Sequence, residues 1–419
     1  MKIGILSNAP WCGTGYGTST NEVVWRLKDA GHDMTCLCFF GLQGAPLKSN
    51  GMLFLPVGAE HYGNDVIVPD SEFYQWDILI SNMDVWVLRK DIVQRVRWCP
   101  WFPVDHDPVP PAVRNVLEAA HVPIVYSKWG RDVLKAAGVR SQYIPISVNT
   151  QTFKPIDRMQ ARMRMGFRPD SFIVMINAAN KGAFSRKSFD TQVRAFKVLR
   201  DRHPDAVLYL HTDMTGVYGE DLNTLLMLSG IPKEAITTPS PYKYSRGMIS
   251  QEYLNDAYNS ADVLSNAAMA EGFGIAIVES QAAGCPVIVT NFSSMPELRG
   301  AGWLVDYATK IYTAQSSYQV IPSVDSIIDC YEKAYQSRDN IGLRQQARAF
   351  ALGYDSDRVV NEMWLPLLDD IALDLGLEAV QKPAQAAQPA LAAQVPPPGL
   401  SRRQRRQWRK ENGIVGVSV

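Results

Sequence analysis

The sequence has no surplus of either charge. Its 42 Lys and Arg balance 42 Asp and Glu, so the whole-chain charge points to no polyanionic or polycationic partner. Cysteine is scarce, and the six thiols (Cys12, Cys36, Cys38, Cys99, Cys285 and Cys330) include no CxxC pair. That argues against a disulfide framework and against a zinc site, and it reads as buried thiols in a reducing cytoplasm. Long apolar runs are missing too. None approaches the ~20 residues of a membrane helix, and the apolar start stops at Asn8 and Pro10, too soon for a signal peptide. What remains is a globular composition, 46% hydrophobic over 419 residues, which is more chain than one core comfortably holds. Two α/β domains are expected.

The pattern along the chain supports that division. Residues 2–6 read as a strand, 11–17 as a glycine-rich loop, 19–30 as a helix stopped by Gly31, and 34–40 as a second strand. This is the opening of a doubly wound parallel sheet. Further strands are expected at 78–81, 98–102, 124–126 and 142–146, with helices at 90–96, 112–120 and 129–137. The polar, proline-bearing stretch 144–155 predicts a hinge. A second unit follows, with strands at 172–176, 207–211, 263–265 and 286–290 and closing helices at 342–352 and 356–375. The expected domains are therefore 1–148, 149–352 and a helix 353–376 crossing back to the first, with 377–419 as a disordered Ala/Pro/Gln linker and basic end. From Leu377 onward seven basic residues face two acidic ones, so the charge balance hides a basic tail and a mildly acidic body.

Chemistry concentrates in four stretches. In the first, Glu271-Gly272-Phe273-Gly274-Ile275 leads into a helix that carries Glu279 and stops at Gly284. Such a helix start offers unpaired amides and a positive dipole end, a seat for a diphosphate. Glu271 can accept hydrogen bonds from sugar hydroxyls, and Glu279 lies within reach of a ribose. The second stretch, Asn180-Lys181 to Arg186-Lys187, follows a strand and supplies cations for a departing diphosphate, where negative charge builds as a glycosidic bond breaks. In the third, Gly13-Thr14-Gly15-Tyr16-Gly17 is a GxGxG rather than a GxGxxG, and no acid ends the next strand to hold a dinucleotide ribose. The fourth, Asp105-His106-Asp107, offers a base or an orienting group for an acceptor hydroxyl. It also reads as a metal-binding DxD, against which the two halves and the paired glutamates argue. Asn82 and Asp84, at the end of another strand, either face the acceptor or cap a helix.

Glu271 and Glu279, with the EGFG, Ala-Gly and Pro-Val context around them, resemble the E-x7-E motif of retaining family 4 glycosyltransferases, the glycosyl transferases group 1. The resemblance implies a GT-B fold, α/β with two Rossmann-like doubly wound domains facing a central cleft. It implies that Glu271 contacts the donor sugar and Glu279 the nucleotide ribose, with Gly272, Phe273, Gly274 and Ile275 around the sugar and phosphates. The family sets an Arg and, six residues later, a Lys on those phosphates; Lys187 matches the Lys, Lys181 stands in the Arg position, and Arg186 is placed to compensate. Gly15, Tyr16 and Gly17 fall in the loop that covers the donor phosphates, and Tyr242 where the family holds the base. Asp105 and His106 are expected near the reacting carbon as catalytic groups with Lys187 and Glu271, and Asn82, Asp84 and Asp105 on the acceptor.

The implied reaction moves a sugar from a UDP- or GDP-linked donor to a hydroxyl with retention and without a metal or other cofactor. The acceptor is open among a small glycan, a lipid, a protein and a modified DNA base, the last suggested by the basic stretch 402–410. Two other readings are a GT-B-shaped nucleotide-sugar epimerase and a nucleic-acid-binding module that uses the tail.

Overall fold

A computed structural model describes residues 1–182 and 184–377. The expected linker from Glu378 and the basic end at 402–410 lie outside the described residues.

The first lobe is built on eight strands: β1 (Lys2–Asn8), β2 (Asp33–Phe40), β3 (Leu47–Ser49), β4 (Met52–Pro56), β5 (Ile78–Asn82), β6 (Trp98–Phe102), β7 (Ile124–Val125) and β8 (Gln142–Tyr143). Their order is β3-β4-β2-β1-β5-β6-β7-β8, all parallel except the β3–β4 pair. Strands such as β1 and β5 are buried on both faces, which is why they read as continuous apolar runs rather than as alternation. Gly4 in β1 makes room for an indole: a Cβ there would stand 2.4 Å from the Trp76 ring.

The helix expected at 19–30 starts earlier, at Gly15–Asp29. Thr14 caps it, accepting from the Gly17 amide at 3.0 Å, so two of the loop glycines are the helix's own first turn. Gly17 sits there because a Cβ would come 2.3 Å from the Cys12 carbonyl oxygen.

The second lobe carries β9 (Phe172–Asn177), β10 (Ala206–His211), β11 (Ile236–Thr237), β12 (Val263–Asn266), β13 (Val287–Thr290) and β14 (Gly302–Val305). These form a parallel sheet in the order β11-β10-β9-β12-β13-β14. Between β14 and the next helix stands an antiparallel hairpin, β15 (Tyr307–Tyr312) and β16 (Tyr318–Pro322).

The chain then crosses to the first lobe. The helix expected at 356–375 is a run of Ser356–Val359, a π-helical turn at Val360–Trp364, and Leu365–Asp374. Pro366 explains the wide turn, because it donates no amide hydrogen and its ring crowds the carbonyl one turn back. Trp364 is fully buried, edge-on to Trp101 of β6 with ring centroids 5.1 Å apart. Arg26 in the first helix pairs with Asp357 at 2.6 Å. One apolar core therefore includes Ile3, Trp101, Ile173, Val287 and Trp364, drawn from both sheets and the crossing helix.

Candidate functional site

The loop after β12 places Glu271 by its backbone. Its amide donates to Ser293 Oγ at 2.9 Å, while Ser294 Oγ donates to the carbonyls of Glu271 and Phe273, both at 2.8 Å. Gly274 follows with φ +99, a backbone that L side chains avoid, and turns the chain into the helix Ile275–Ala282. No side chain caps that helix, so its first amides remain available to an anion.

Arg186 and Lys187 come from the loop before the helix Phe189–Arg202. The Arg186 carbonyl accepts from the Met269 amide at 2.7 Å, and the Lys187 carbonyl from Gln192 Nε2 at 2.8 Å. These bonds aim both cations at Glu271. Lys187 Nζ pairs with one carboxylate oxygen, and Arg186 stands 3.0 Å from the other while also donating to the Ala270 carbonyl. Burial alone would push the Glu271 carboxyl up; Lys187 and Arg186 outweigh it and hold it below its usual range. Burial and the neighbouring guanidinium push the Lys187 ammonium down, against the attraction of Glu271.

The first lobe meets this cluster with the loop after β6. Asp105 Oδ2 lies 4.0 Å from Arg186, and Asp105 Oδ1 lies 2.7 Å from His106 Nδ1. Burial would raise the Asp105 carboxyl, but His106, Arg186 and Lys187 together keep it below its usual range. Asp84, at the end of β5, accepts from the Tyr16 hydroxyl at 2.8 Å and is pushed up by burial and by Asp105. Tyr16, Asp84, Asp105, Arg186, Lys187 and Glu271 thus form one charged seam between the lobes. Two surface depressions on the first lobe, one including Glu60 and Arg89 and the other Arg114 and His121, share none of these residues.

Several expected site residues sit differently. Asn82, assigned to the acceptor, is fully buried. Its amide nitrogen donates to Ser19 and Thr20 at 2.9 Å, and its oxygen accepts from Tyr126 at 2.6 Å. It ties β5 to the first helix and has no surface to offer. Asn180, assigned to the donor, is also buried: it bonds the carbonyls of Asp213 and Glu220 and the Glu220 amide, bracing a neighbouring loop. His106 is 6% exposed with both ring nitrogens in contact with protein groups, Asp105 and, at 2.9 Å, Thr313, rather than open to the cleft. Lys181 and Tyr242 are exposed, and among the described residues neither forms a hydrogen bond or ion pair with this cluster. Gly15 is open, with nothing within 4 Å of a built Cβ.

Glu279 is buried on the helix Ile275–Ala282 and accepts from the Tyr258 hydroxyl at 2.8 Å. Tyr258 in turn accepts from Asn177 at 2.7 Å. Burial pushes the Glu279 carboxyl up to about 7 against that hydrogen bond.

Ser293, Ser294, Tyr258 and Thr313 carry no motif or spacing that marks them in the sequence. Tyr258 lies near the end of the helix Gln251–Ser260, and nothing in the residues around it hints at its hydroxyl's partner. Thr313 lies in a polar segment with no periodicity at all.

Two doubly wound parallel sheets, joined in series and meeting at the loops that end their strands, define the GT-B fold. Solved structures agree on it. Sucrose-phosphate synthase from Thermosynechococcus elongatus superposes with a TM-score of 0.70 at 16% identity, over 89% of this chain and 100% of that one. Anabaena HepE in complex with UDP-glucose gives 0.64 at 14% identity, over 90% of this chain and 99% of that one. Residues 176–317, about a third of the chain, match the family described as Glycosyl transferases group 1. Among curated relatives, D-inositol 3-phosphate glycosyltransferase of Paenarthrobacter aurescens is 26% identical over 221 residues, 51% of this chain and 48% of that protein. Mannosylfructose-phosphate synthase of Agrobacterium fabrum is 27% identical over 150 residues, 35% of this chain and 32% of that protein. The chain spans about half the length of the first of these relatives, or less of the other.

Proposed function

We propose that the chain is a retaining glycosyltransferase that moves a sugar from a UDP- or GDP-linked donor to a hydroxyl acceptor. The observation that carries this is Glu271 held between Lys187 and Arg186 beside an uncapped helix start. A diphosphate at that helix start draws both cations to itself and leaves Glu271 to accept from the sugar's hydroxyls. Charge growing on the leaving phosphate is then met by groups already in place. Glu279 takes the ribose. Asp105, with one oxygen turned to the seam, orients the incoming hydroxyl. Attack from the face the diphosphate leaves needs no protein nucleophile and retains the anomeric configuration. Asp105 is bound to its neighbouring histidine, and the cations do the work a metal does elsewhere, so the reaction is expected to be metal-independent.

The relatives support the donor class: one structural neighbour is a UDP-glucose complex, and one curated relative is a GDP-mannose-dependent mannosyltransferase. Their names also favour inositol and sugar phosphates as first acceptors to try, ahead of DNA. No helix among the described residues is long and apolar enough to cross a membrane, and a cytoplasmic location is part of the proposal.

The test is to incubate the protein with UDP-glucose or GDP-mannose and those acceptors. Release of nucleoside diphosphate is followed, and the product's anomeric configuration is read by NMR. An inverted product, an isomerised donor formed without acceptor, or activity abolished by EDTA and restored by Mn²⁺ would each overturn it.

A further inference from the structure

The hairpin β15–β16 belongs to the second lobe, where the Val320 amide donates to the Met269 carbonyl at 3.3 Å, and it is bound to the first lobe as well. The Asp107 amide donates to the Tyr318 carbonyl at 3.2 Å, and Ser317 Oγ donates to the Pro108 carbonyl. Gln319 Nε2 reaches the Asp105 carbonyl at 3.5 Å, and Thr313 Oγ1 stands 2.9 Å from His106 Nε2. The first three of these contacts with the first lobe hold the backbone of loop 105–108. The fourth alone engages a side chain next to the proposed chemistry.

The donor and acceptor inventory fixes one side of that ring. The Asp105 carboxylate only accepts, so His106 Nδ1, 2.7 Å from it, carries a hydrogen. With Nδ1 so used, Nε2 is the ring's remaining polar atom, and the Thr313 hydroxyl meets it. The turn holds that oxygen in place: the Gln315 amide donates to it at 3.3 Å, and the Ser317 carbonyl lies 3.1 Å away. The ring is therefore pinned at both nitrogens. Its orientation fixes Asp105 Oδ1, which leaves Oδ2 as the oxygen that faces Arg186.

We propose that Thr313 is a positioning residue for glycosyl transfer, delivered by the second lobe to the first. It locks the His106 ring and, through it, the rotamer of the Asp105 carboxylate that orients the acceptor hydroxyl. The inference rests on the transferase reading and adds that the acceptor side is set only while the hairpin of the opposite lobe is docked.

Thr313→Val keeps the side chain's shape and removes its hydroxyl; Thr313→Ser keeps the hydroxyl. The expected result for Thr313→Val is a kcat lowered about 10- to 100-fold, as for a group displaced by a fraction of an ångström to one ångström. The dissociation constant for UDP or GDP should be unchanged, and Thr313→Ser should recover most of the loss. A second readout needs no turnover: the ¹⁵N resonances of the His106 ring in labelled protein. They should match between wild type and Thr313→Ser and move in Thr313→Val. A Thr313→Val variant with wild-type kcat, a Thr313→Ser variant as slow as it, or ring resonances indifferent to both changes would overturn the proposal. If wild-type protein releases no nucleoside diphosphate with any donor, the transferase reading fails, and the ring resonances still decide whether Thr313 controls His106.

Discussion

Gly272 of the second lobe lies directly against Pro103 of the first: a Cβ built on the glycine would stand 2.1 Å from the proline Cβ and 2.9 Å from its Cα. Both atoms belong to rigid parts of the chain, so neither can swing aside. The contact sits one residue from Glu271 and two from Asp105, which makes it the gauge of how near the two charged loops come. Gly272→Ala is expected to force the lobes apart. Turnover should fall about 100-fold, as for a displacement near one ångström, while nucleotide affinity changes far less. Equal kcat for the variant and wild type would mean that this closeness has no part in the reaction.

The cations differ in their surroundings, and that ranks them. Lys187→Ala should lower kcat by about 100- to 1000-fold, the loss typical of one removed transition-state donor. Arg186→Lys keeps the charge but replaces the planar guanidinium whose Nη1 donates to both the Ala270 carbonyl and Glu271 with a differently placed ammonium, and a loss of about tenfold is expected. Lys181, exposed and with no ion pair to Glu271 among the described residues, should tolerate alanine with kcat within about threefold, an effect under 1 kcal/mol. Steady-state kinetics on the three variants checks the order, and a Lys181→Ala defect as deep as that of Lys187→Ala would reverse it.

Glu279 makes stability depend on pH in a particular direction. Its ordinary value is 4.5, and burial raises it to about 7 in the folded chain. Below 4.5 the folded and unfolded forms are both protonated, and the group contributes nothing. Between 4.5 and 7 the folded chain holds a proton that the unfolded chain has released, so stability falls as pH rises. Above 7 the cost levels off at roughly 3 kcal/mol at most. Glu279→Gln should therefore melt higher than wild type at pH 8 and alike at pH 4.5. Identical melting at pH 8 would show that the buried carboxylate carries no penalty.

Glu297 fastens the lobes at another point. Its two oxygens accept from the Lys128 and Trp129 amides at 3.0 and 2.8 Å, capping the helix Lys128–Ala136 of the first lobe from the second. Glu297→Ala should cost about 1 kcal/mol, typical of a lost helix cap, read as a melting temperature lower by roughly 1 °C for a chain of this size. An unchanged melting temperature would reduce the contact to a surface coincidence.

Much of the architecture was legible because strands buried on both faces write themselves as apolar runs, and a glycine-led helix start stands out between them. The hairpin β15–β16 left no such trace. Most of β15 is exposed on both faces, so it has no inside-outside alternation to read. The β3–β4 hairpin does carry a signal, the Asn50-Gly51 turn with both residues at positive φ, but β3 is too short and too exposed to show an apolar face beside it. At the seam, residue type was readable and surroundings were not. Asn82 and Asn180 look like ligand-binding amides in sequence, and only three dimensions show their hydrogen bonds spent on the protein's own scaffold. His106 is the same case in a ring: its chemistry suits a base, but its neighbours hold both nitrogens.

Trp364 has a bearing on how this molecule can be taken apart. It is encoded after the whole second sheet yet finishes the first lobe's interior, against Trp101. A fragment cut at the hinge would expose that indole's seat, and removing a tryptophan of this kind costs about 3–5 kcal/mol. Chimeras that graft a foreign nucleotide-binding half onto this chain should therefore keep the native terminal helix, since that last segment is inherited by the partner it folds back upon.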